Sequence, residues 1–387
     1  MKDTIGFVGL GAMGWHMAWN LAASGKYRFL CIWNRTHGKC LQFKKEFEDK
    51  GGKQSDSKPH TTSIVIASTL EELWRHCQGG TIASMLMDDK ATEHVFQELR
   101  SVSERFTQEE EDGHDHGDST LLLNCATVSP DCILRLSDLL GGRIHLVNCA
   151  VTGRPEHAEK AELCSWLSGS EETSVAQCEN NIAATWSKAV RVISTTDATA
   201  SSRFKLATNF LIYGIGHLVG EGLVLFDAFK LHREKILDWT NCLMPGTLLH
   251  TYSKILVQRD FDRNVGASIE VGLKDLSYMK NILDEFLSTR EDSTVHMTVS
   301  DATDVNMAVS NSCPGAGQQS PTSLKRKAET NSGQSSLKIR RGHSSHSRSN
   351  MCILDTMYKN MIARKEESGE QTREWASVLE QIEKSVL

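Results

Sequence analysis

Short apolar runs alternate with longer amphipathic segments over the first half of the chain. The runs predict β-strands at residues 5–10, 29–33, 64–67, 81–85, 121–125, 145–150 and 163–168. The segments between them predict helices at residues 13–24, 40–50, 91–100 and 131–140. Because such alternation is typical of βαβ units, we expect residues 1–195 to form one α/β domain around a parallel sheet.

The spacing of apolar positions changes near residue 199, where a helical period begins. Residues 200–230, 231–239 and 266–287 carry apolar side chains at helical spacing, and the pattern returns at residues 351–387. We therefore expect a helical domain for substrate binding and dimerisation, formed by residues 196–291 and 351–387. Its first helix is long enough to link the two domains.

Two polar segments interrupt this order. Residues 107–119 are acidic, and their His114 and His116 are weak candidates for metal ligands because no third ligand is fixed beside them. Residues 292–350 are rich in Ser, Asn, Gln and Gly and carry little periodic hydrophobicity. This composition predicts a disordered insertion that splits the helical domain.

Composition and charge narrow the class of protein. The 387 residues are 39% hydrophobic and 24% charged, and the net charge of -6 disfavours a protein that coats nucleic acid. We expect no membrane span and no signal peptide, and the eleven scattered cysteines are expected to be reduced thiols. A cytoplasmic protein is therefore expected. Basic clusters at residues 324–329 and 337–342 resemble a bipartite nuclear-import signal, but a solvated linker with chance basic pairs is favoured.

Three glycines lie in six residues directly after the first predicted strand. The run Gly9-Leu10-Gly11-Ala12-Met13-Gly14 is a GxGxxG motif between a strand and a helix. In this context Gly9 allows the tight turn, Gly11 lets the backbone approach a pyrophosphate, and Gly14 lets the helix pack closely on the strand. The N–H groups at the start of that helix attract phosphate. The motif therefore predicts a dinucleotide cofactor.

The second strand is followed by Asn34-Arg35-Thr36, where an NAD-binding site usually carries an acid. A guanidinium and a hydroxyl suit the 2′-phosphate of NADP, which a carboxylate would repel. Lys39 is a further candidate contact for this phosphate. We therefore expect NADPH or NADP as the cofactor, with NADH less favoured.

A series of motifs resembles the β-hydroxyacid dehydrogenase family, which includes 3-hydroxyisobutyrate dehydrogenases, glyoxylate and succinic-semialdehyde reductases, and the related imine reductases. The motifs are GFVGLGAMGWHMAWNLAASG at residues 6–25, NRT at 34–36, MLMDD at 85–89, NCATVSPD at 124–131, NCAVTGRP at 148–155, KLATN at 205–209 and LKDLSYM at 273–279. The resemblance covers nearly the whole chain outside the two polar segments. It implies an N-terminal Rossmann dinucleotide-binding domain followed by an all-α domain, in an NAD(P)-dependent oxidoreductase.

The resemblance also implies roles for individual residues. Lys205 and Asn209 match the catalytic pair, and their four-residue spacing places them on one face of a helix. A lysine ammonium there can stabilise the oxygen charge left by hydride transfer and donate its proton. The implied cofactor contacts are Met85, Leu86, Met87, Thr127 and Lys274, and the implied substrate contacts are Thr152, Gly153 and Arg154.

The substrate loop departs from the family pattern. Arg154 replaces its second glycine and adds bulk and charge, whereas Thr152 keeps the hydroxyl of the usual serine. The other replacements are Asn148 for an aspartate, Ala126 for a serine, and Thr199 and Ser201 for two glycines. Because the cofactor and catalytic positions are kept, we infer an altered substrate.

The sequence therefore predicts an NADPH-dependent reductase that transfers a hydride to an aldehyde or keto acid, or from the corresponding hydroxyacid. An imine reductase of the same fold is one alternative, but that branch usually lacks the lysine found at Lys205. A catalytically silent dinucleotide-binding module is another, although it would not need Lys205 or Asn209. A homodimer is also expected, because apolar residues cover more than one side of the helix predicted at residues 200–230.

Overall fold

The computed structural model describes residues 3–51, 62–109, 119–261, 266–292, 352–368 and 378–386. The chain divides into two units, residues 1–282 with 351–387, and residues 283–350. Of the second unit, the described residues are the end of one helix, 283–292. The histidine pair and the two basic clusters lie outside the described residues, as does the predicted insertion from residue 293 onward.

An eight-stranded sheet forms the centre of the N-terminal half. Its strands are β1 (Thr4–Val8), β2 (Phe29–Trp33), β3 (Ser63–Ile66), β4 (Thr81–Ser84), β5 (Thr120–Asn124), β6 (Ile144–Thr152), β7 (Leu163–Gly169) and β8 (Ser187–Ser194). They lie in the order β3-β2-β1-β4-β5-β6-β7-β8. The order reverses between β1 and β4, and ligands of open α/β sheets bind at such a point, beyond the carboxyl ends of the strands.

Helices cover both faces of this sheet. They are α1 (Ala12–Ala23), α2 (His37–Gly51), α3 (Leu70–Cys77), α4 (Asp89–Glu109), α5 (Pro130–Leu139), α6 (Pro155–Glu159) and α7 (Glu172–Asn181). Successive strand residues point to opposite faces, so Phe7 packs in a core with α1, α2 and α7, while Val8 packs in a second core with α3, α4 and α5. Both faces of the sheet are buried under helices, which explains why these strands read as continuous apolar runs.

The sheet is parallel from β3 through β6, as predicted, but β7 runs antiparallel to β6. The link between them holds only the five-residue helix α6. A parallel return needs a crossover of about a dozen residues or more, so this short link favours the antiparallel pairing. Strand β8 then pairs parallel with β7 and was not predicted, because its residues are mostly half-buried or exposed.

The helical part of the chain follows the sheet. Its helices are α8 (Ala200–Ala228), α9 (Lys235–Leu243), α10 (Leu248–Gln258), α11 (Ile269–Asp292), α12 (Cys352–Ser368) and α13 (Leu379–Val386). Helix α8 packs against β6, β7 and β8, and along its length against α10, α12 and α13. Among the described helices, α8 has the length and apolar composition of a membrane span, a weak signal that the core helix of a soluble protein also gives.

Hydrogen bonds fix the start of α8 to the sheet. The Ser201 hydroxyl donates to the Trp166 carbonyl oxygen at 2.6 Å and accepts from the Ala150 N–H at 3.1 Å. The buried Asn148 amide donates to the Ser202 hydroxyl at 2.9 Å. A glycine at residue 201 would lack these bonds. The serine found there therefore anchors the linking helix to β6 and β7.

Candidate active site

The glycine turn after β1 is shaped by close backbone contacts. Gly9 has a φ of +95°, and a Cβ atom there would lie 2.4 Å from the Met85 carbonyl oxygen. A Cβ at Gly14 would lie 2.0 Å from the Gly9 carbonyl oxygen. A Cβ at Gly11 would meet nothing within 4 Å. Gly9 and Gly14 are thus required by the fold, whereas Gly11 faces open space that a phosphate group can enter.

The N-terminus of α1 faces that space without a side-chain cap. Its N-cap residue is Gly11, which offers no oxygen to the first turn, and that turn contains no acidic residue. The N–H groups of a helix start carry a partial positive charge and bind anions. This end of α1 therefore suits a pyrophosphate.

The loop after β2 is joined to the glycine turn by Asn34. Its side-chain oxygen accepts the Leu10 N–H at 2.9 Å, and its amide donates to the Thr36 carbonyl oxygen at 3.1 Å. Both polar ends of Asn34 are therefore used to shape the loop. Arg35 and Thr36 are left exposed at the rim of the site.

A cavity of about 690 Å³ lies between these two loops and α4. Its volume falls in the range of small-molecule and cofactor sites. The predicted site residues that line it are Gly9, Gly11, Asn34, Arg35, Thr36, Lys39, Met85, Leu86 and Met87. Leu10 and Ala12 line an adjoining pocket of about 320 Å³ together with Gly11 and Lys39. Met13 packs against the core instead, and Gly14 is buried.

Lys205 and Asn209 lie together on the buried side of α8. The Lys205 side chain is only 8% exposed, and burial lowers the pKa of its ammonium to about 8, against the opposing attraction of Asp275. No hydrogen bond from this ammonium to a described residue is found. Asn209 donates from its amide to Asp275 Oδ2 at 2.7 Å. A buried lysine with a lowered pKa is poised to exchange a proton near neutral pH.

Lys274 approaches the same place from α11. Its ammonium donates to the Thr127 carbonyl oxygen, lies 3.2 Å from Asp275 Oδ1, and sits 5.2 Å from the centre of the Tyr278 ring. The structure therefore brings Thr127 and Lys274 into contact, and their role in cofactor binding stays a prediction. It also joins Lys274 to the Lys205–Asn209 pair through Asp275.

The substrate-loop candidates lie at the end of β6. The Thr152 hydroxyl accepts the Trp166 indole N–H at 2.9 Å, and the Trp166 ring lies 4.6 Å from that of Phe204 on α8, the residue before Lys205. Thr152 can still donate its own hydroxyl proton to a ligand. Gly153 has a φ of +147°, and a Cβ there would lie 2.5 Å from Leu163, so this position tolerates only glycine.

Arg154 is held in place by neighbours on its own loop and by the segment before α11. Its backbone N–H donates to His157 Nδ1 at 3.2 Å, and its Nε lies 3.4 Å from Glu156 Oε1. The guanidinium lies against Gly266, in the segment before α11. The side chain is only 14% exposed. The residue that departs from the family pattern therefore bridges the substrate loop and the helical part of the chain.

Sequence reasoning did not single out several residues that shape the site. Asp275 lies in the quoted LKDLSYM motif but was given no role, although it contacts Asn209, Tyr213 and Lys274. Tyr213 continues the four-residue spacing of Lys205 and Asn209, a signal that the sequence does contain. Gly266 and Trp166 carry no local signal, because their importance arises from contacts with residues distant in sequence.

Comparison with known proteins supports a nucleotide-binding domain. The family model for the NAD-binding domain of 6-phosphogluconate dehydrogenase matches residues 4–193. This range spans the glycine turn, the Asn34 loop and nearly the whole sheet. No match was found among curated protein sequences.

Solved structures resemble the whole chain in fold. The 3-hydroxyisobutyrate dehydrogenase of Mycobacterium tuberculosis with L-serine has a TM-score of 0.64 and 12% identity, over 99% of this chain and 99% of that chain. The 3-hydroxyisobutyrate dehydrogenase of Salmonella typhimurium has a TM-score of 0.60 and 13% identity, over 97% and 99%. Psf3 in complex with NADP+ and 2-OPP has a TM-score of 0.61 and 12% identity, over 98% and 99%. At these identities the likeness shows the fold, not the substrate.

The expected fold class is confirmed, since a Rossmann-type sheet domain precedes a helical region. The substrate, the role of Lys205 and the preference for NADPH stay predictions. The family model identifies residues 4–193 as an NAD-binding domain of the 6-phosphogluconate dehydrogenase type, and the whole chain shares the fold of 3-hydroxyisobutyrate dehydrogenases. Both findings agree with the resemblance to the β-hydroxyacid dehydrogenases that the sequence motifs carry, and they support an NAD(P)-dependent oxidoreductase.

Proposed function

We propose that this protein is an NADPH-dependent reductase of an aldehyde or keto acid, with Lys205 as the proton donor. The observation that carries this proposal is the buried Lys205 ammonium beside Asn209 on α8, in a chain with an NAD-binding domain. Burial of a lysine is costly unless its charge is used or compensated. A proton donor at a carbonyl oxygen uses that charge.

The residues present suit a dinucleotide. Gly11 faces open space, the uncapped start of α1 suits the pyrophosphate, and Arg35 with Lys39 lies on the rim of the 690 Å³ cavity. When bound, NADPH supplies the hydride. Arg35 favours NADPH over NADH, because a guanidinium pairs with the 2′-phosphate in a charge-assisted hydrogen bond. Thr36 offers the same phosphate a hydroxyl.

Side chains of the protein then stabilise the charge that develops on the substrate and hold the substrate in position. As the carbonyl oxygen gains negative charge, the Lys205 ammonium stabilises it and transfers a proton to it. Asn209 and Asp275 hold the neighbourhood of that ammonium in place. The Thr152 hydroxyl and the Gly153 N–H bind a carboxylate of the substrate. The Arg154 side chain reduces the space left for the substrate beside this loop.

A substrate panel tests the proposal. NADPH oxidation is measured with aldehydes, keto acids and cyclic imines, for the wild type and for Lys205→Ala. We expect turnover of a carbonyl substrate, and a loss of about two to four orders of magnitude in kcat for Lys205→Ala with NADPH binding nearly unchanged. A variant that keeps more than about a tenth of the activity would instead favour imine reduction, in which the lysine is not required. Absence of turnover on every class would favour a silent binding module.

A further inference from the structure

Tyr213 continues the row of polar side chains on α8 that begins with Lys205. The three residues Lys205, Asn209 and Tyr213 follow one another at intervals of four, so they share one face of the helix. Tyr213 is only 3% exposed, and its hydroxyl donates to Asp275 Oδ2 at 2.8 Å. The row therefore ends in a phenol that faces a buried carboxylate.

Two donors hold the same oxygen of Asp275. The Asn209 amide donates to Oδ2 at 2.7 Å, alongside the Tyr213 hydroxyl. The other oxygen, Oδ1, lies 3.2 Å from the Lys274 ammonium. With Oδ2 held twice, rotation of the carboxylate would break two hydrogen bonds to a charged group, which are stronger than ordinary ones. The pair of donors therefore fixes the direction in which Oδ1 points.

The orientation of Asp275 matters for Lys205. Among the described residues, the charged groups that act on the Lys205 ammonium are Asp275 and Lys274, both on α11. Asp275 attracts the ammonium and raises its pKa, whereas Lys274 and burial lower it. Because the Lys205 side chain is only 8% exposed, a small displacement of the Asp275 charge is weakly screened and changes this balance.

We propose that Tyr213 is a positioning residue of the active site, which acts through Asp275 to keep Lys205 able to donate its proton. The catalytic part of this statement rests on the proposed function. A phenylalanine would fill the same space and pack equally well. The hydroxyl is therefore the part of the Tyr213 side chain that holds the Asp275 carboxylate in position.

The test measures the Lys205 ammonium directly. Protein labelled with [13Cε]lysine is titrated by NMR, and the Lys205 signal is assigned by its absence in Lys205→Met. In Tyr213→Phe we expect the pKa of Lys205 to fall by about half a unit or more, because a less firmly held carboxylate attracts the ammonium less. Tyr27→Phe, which removes a buried hydroxyl from the core that packs on the sheet, should leave the pKa of Lys205 unchanged. Tyr213→Met repeats the measurement in case the first variant does not fold.

Activity provides the second measurement. A lysine that donates a proton must be protonated, so turnover falls above its pKa, and the alkaline limb of the pH profile should move to lower pH in Tyr213→Phe. The same substitution in an Asp275→Asn background should produce no further movement, since Tyr213 acts through that carboxylate. An unchanged Lys205 pKa, with only a lower melting temperature, would overturn the proposal. If Tyr213→Phe lowered the pKa of Lys205 but the protein turned over no carbonyl, the proposed function would be wrong. The coupling of Tyr213 to Lys205 would still hold.

Discussion

The guanidinium of Arg154 lies against the backbone of Gly266. A Cβ atom at Gly266 would be 2.5 Å from both Cζ and Nη1 of Arg154, which is closer than a side chain can approach without displacing that group. The arginine that replaces a glycine in the substrate loop thus has a matching glycine ahead of α11. The two residues form one feature, and under the proposed function it limits the size of the substrate.

The first prediction concerns this pair. Arg154→Gly should enlarge the site and raise kcat/KM for bulky carbonyls relative to small ones, by about tenfold, the scale of one or two methylene groups in a fitted pocket. Gly266→Ala should shift the same ratio, because the new methyl group displaces the guanidinium. Kinetics on a series of aldehydes of increasing size measure it. In an Arg154→Gly background, Gly266→Ala should leave the ratio of kcat/KM for bulky and small carbonyls unchanged. If Gly266→Ala shifted that ratio equally there, the two residues would not act as a pair.

The second prediction separates two glycines of one turn. Gly14→Ala should lower the free energy of unfolding by about 1–3 kcal/mol or more, because its methyl group would overlap the Gly9 carbonyl. Gly11→Ala should leave the melting temperature unchanged, since its methyl group meets nothing within 4 Å, yet weaken NADPH binding by about tenfold or more. Thermal unfolding and fluorescence titration measure the two effects. Full NADPH affinity in Gly11→Ala would place the pyrophosphate elsewhere.

Much of the sheet could be predicted because its strands are buried on both faces and therefore read as apolar runs. Strand β8 could not, since it carries polar and exposed residues at the sheet edge. Helix α3 was missed although the sequence contains its signal. After the N-cap residue Thr69, apolar residues recur at helical spacing at Leu70, Leu73, Trp74 and Cys77. The reversal of β7 depends on how the chain returns after the short α6, a property of three-dimensional closure that no local pattern reports.

The third prediction concerns cofactor choice. The wild type should prefer NADPH, and Arg35→Asp should reverse or abolish that preference. Loss of a hydrogen bond to a charged group costs about 1.5–3 kcal/mol, which is roughly ten- to a hundredfold in affinity, and the new carboxylate repels the 2′-phosphate as well. Dissociation constants for NADPH and NADH measure the change. Lys39→Ala should produce a smaller loss of the same sign, and equal use of both cofactors by the wild type would contradict the assignment.

The fourth prediction is that Lys205 lowers stability at neutral pH. The pKa of its ammonium is about 8 in the folded chain against an ordinary value of 10.5 for lysine, so the unfolded chain binds more protons between these values. Stability therefore rises with pH from about 8 to 10.5, and the buried charge costs on the order of 3 kcal/mol below pH 8.

Replacing this lysine should consequently stabilise the inactive protein. Lys205→Met should raise the free energy of unfolding at pH 7 by up to about 3 kcal/mol and flatten its rise with pH, because the methionine fills the site without a charge. Denaturant titrations at pH 7 and pH 10 measure this. The exposed Lys188→Met controls for the loss of one positive charge. A destabilised Lys205→Met protein would show that the charge is compensated more fully than its burial indicates.

The family resemblance supplied the catalytic candidates, and the spacing of the sequence adds a spatial relationship only where that spacing is local. Lys205 and Asn209 are one helical turn apart, so their shared face follows from the period. Asp275 reaches the Asn209 amide across 66 residues of chain, and Gly266 meets Arg154 across a still longer stretch of chain. Such contacts depend on how α11 is placed against α8 and the sheet, which the pattern of either segment does not determine.

The last prediction concerns assembly through α8. One side of this helix is already covered, since the close approach at Gly220 is filled by Ile382 and Leu379 of α13. The other side exposes Leu211, Leu218 and Leu225 by 61%, 64% and 56%. These leucines recur every seven residues and therefore form one stripe along the helix.

The stripe argues for a second copy of the chain. Residues 351–387 could in principle have covered it in a monomer, but α12 and α13 pack on α8 and leave the three leucines exposed. An apolar stripe of this kind is typical of an interface, and a closed homodimer is the commonest way to bury one. Light scattering at micromolar concentration should give twice the 43.0 kDa of one chain, and Leu218→Glu should reduce that mass to one chain. Leu134→Glu, at an equally exposed leucine on α5, should leave the dimer intact. A wild-type mass near 43.0 kDa would show that the protein is a monomer whose three leucines on α8 stay exposed to solvent, and the proposed interface would be wrong.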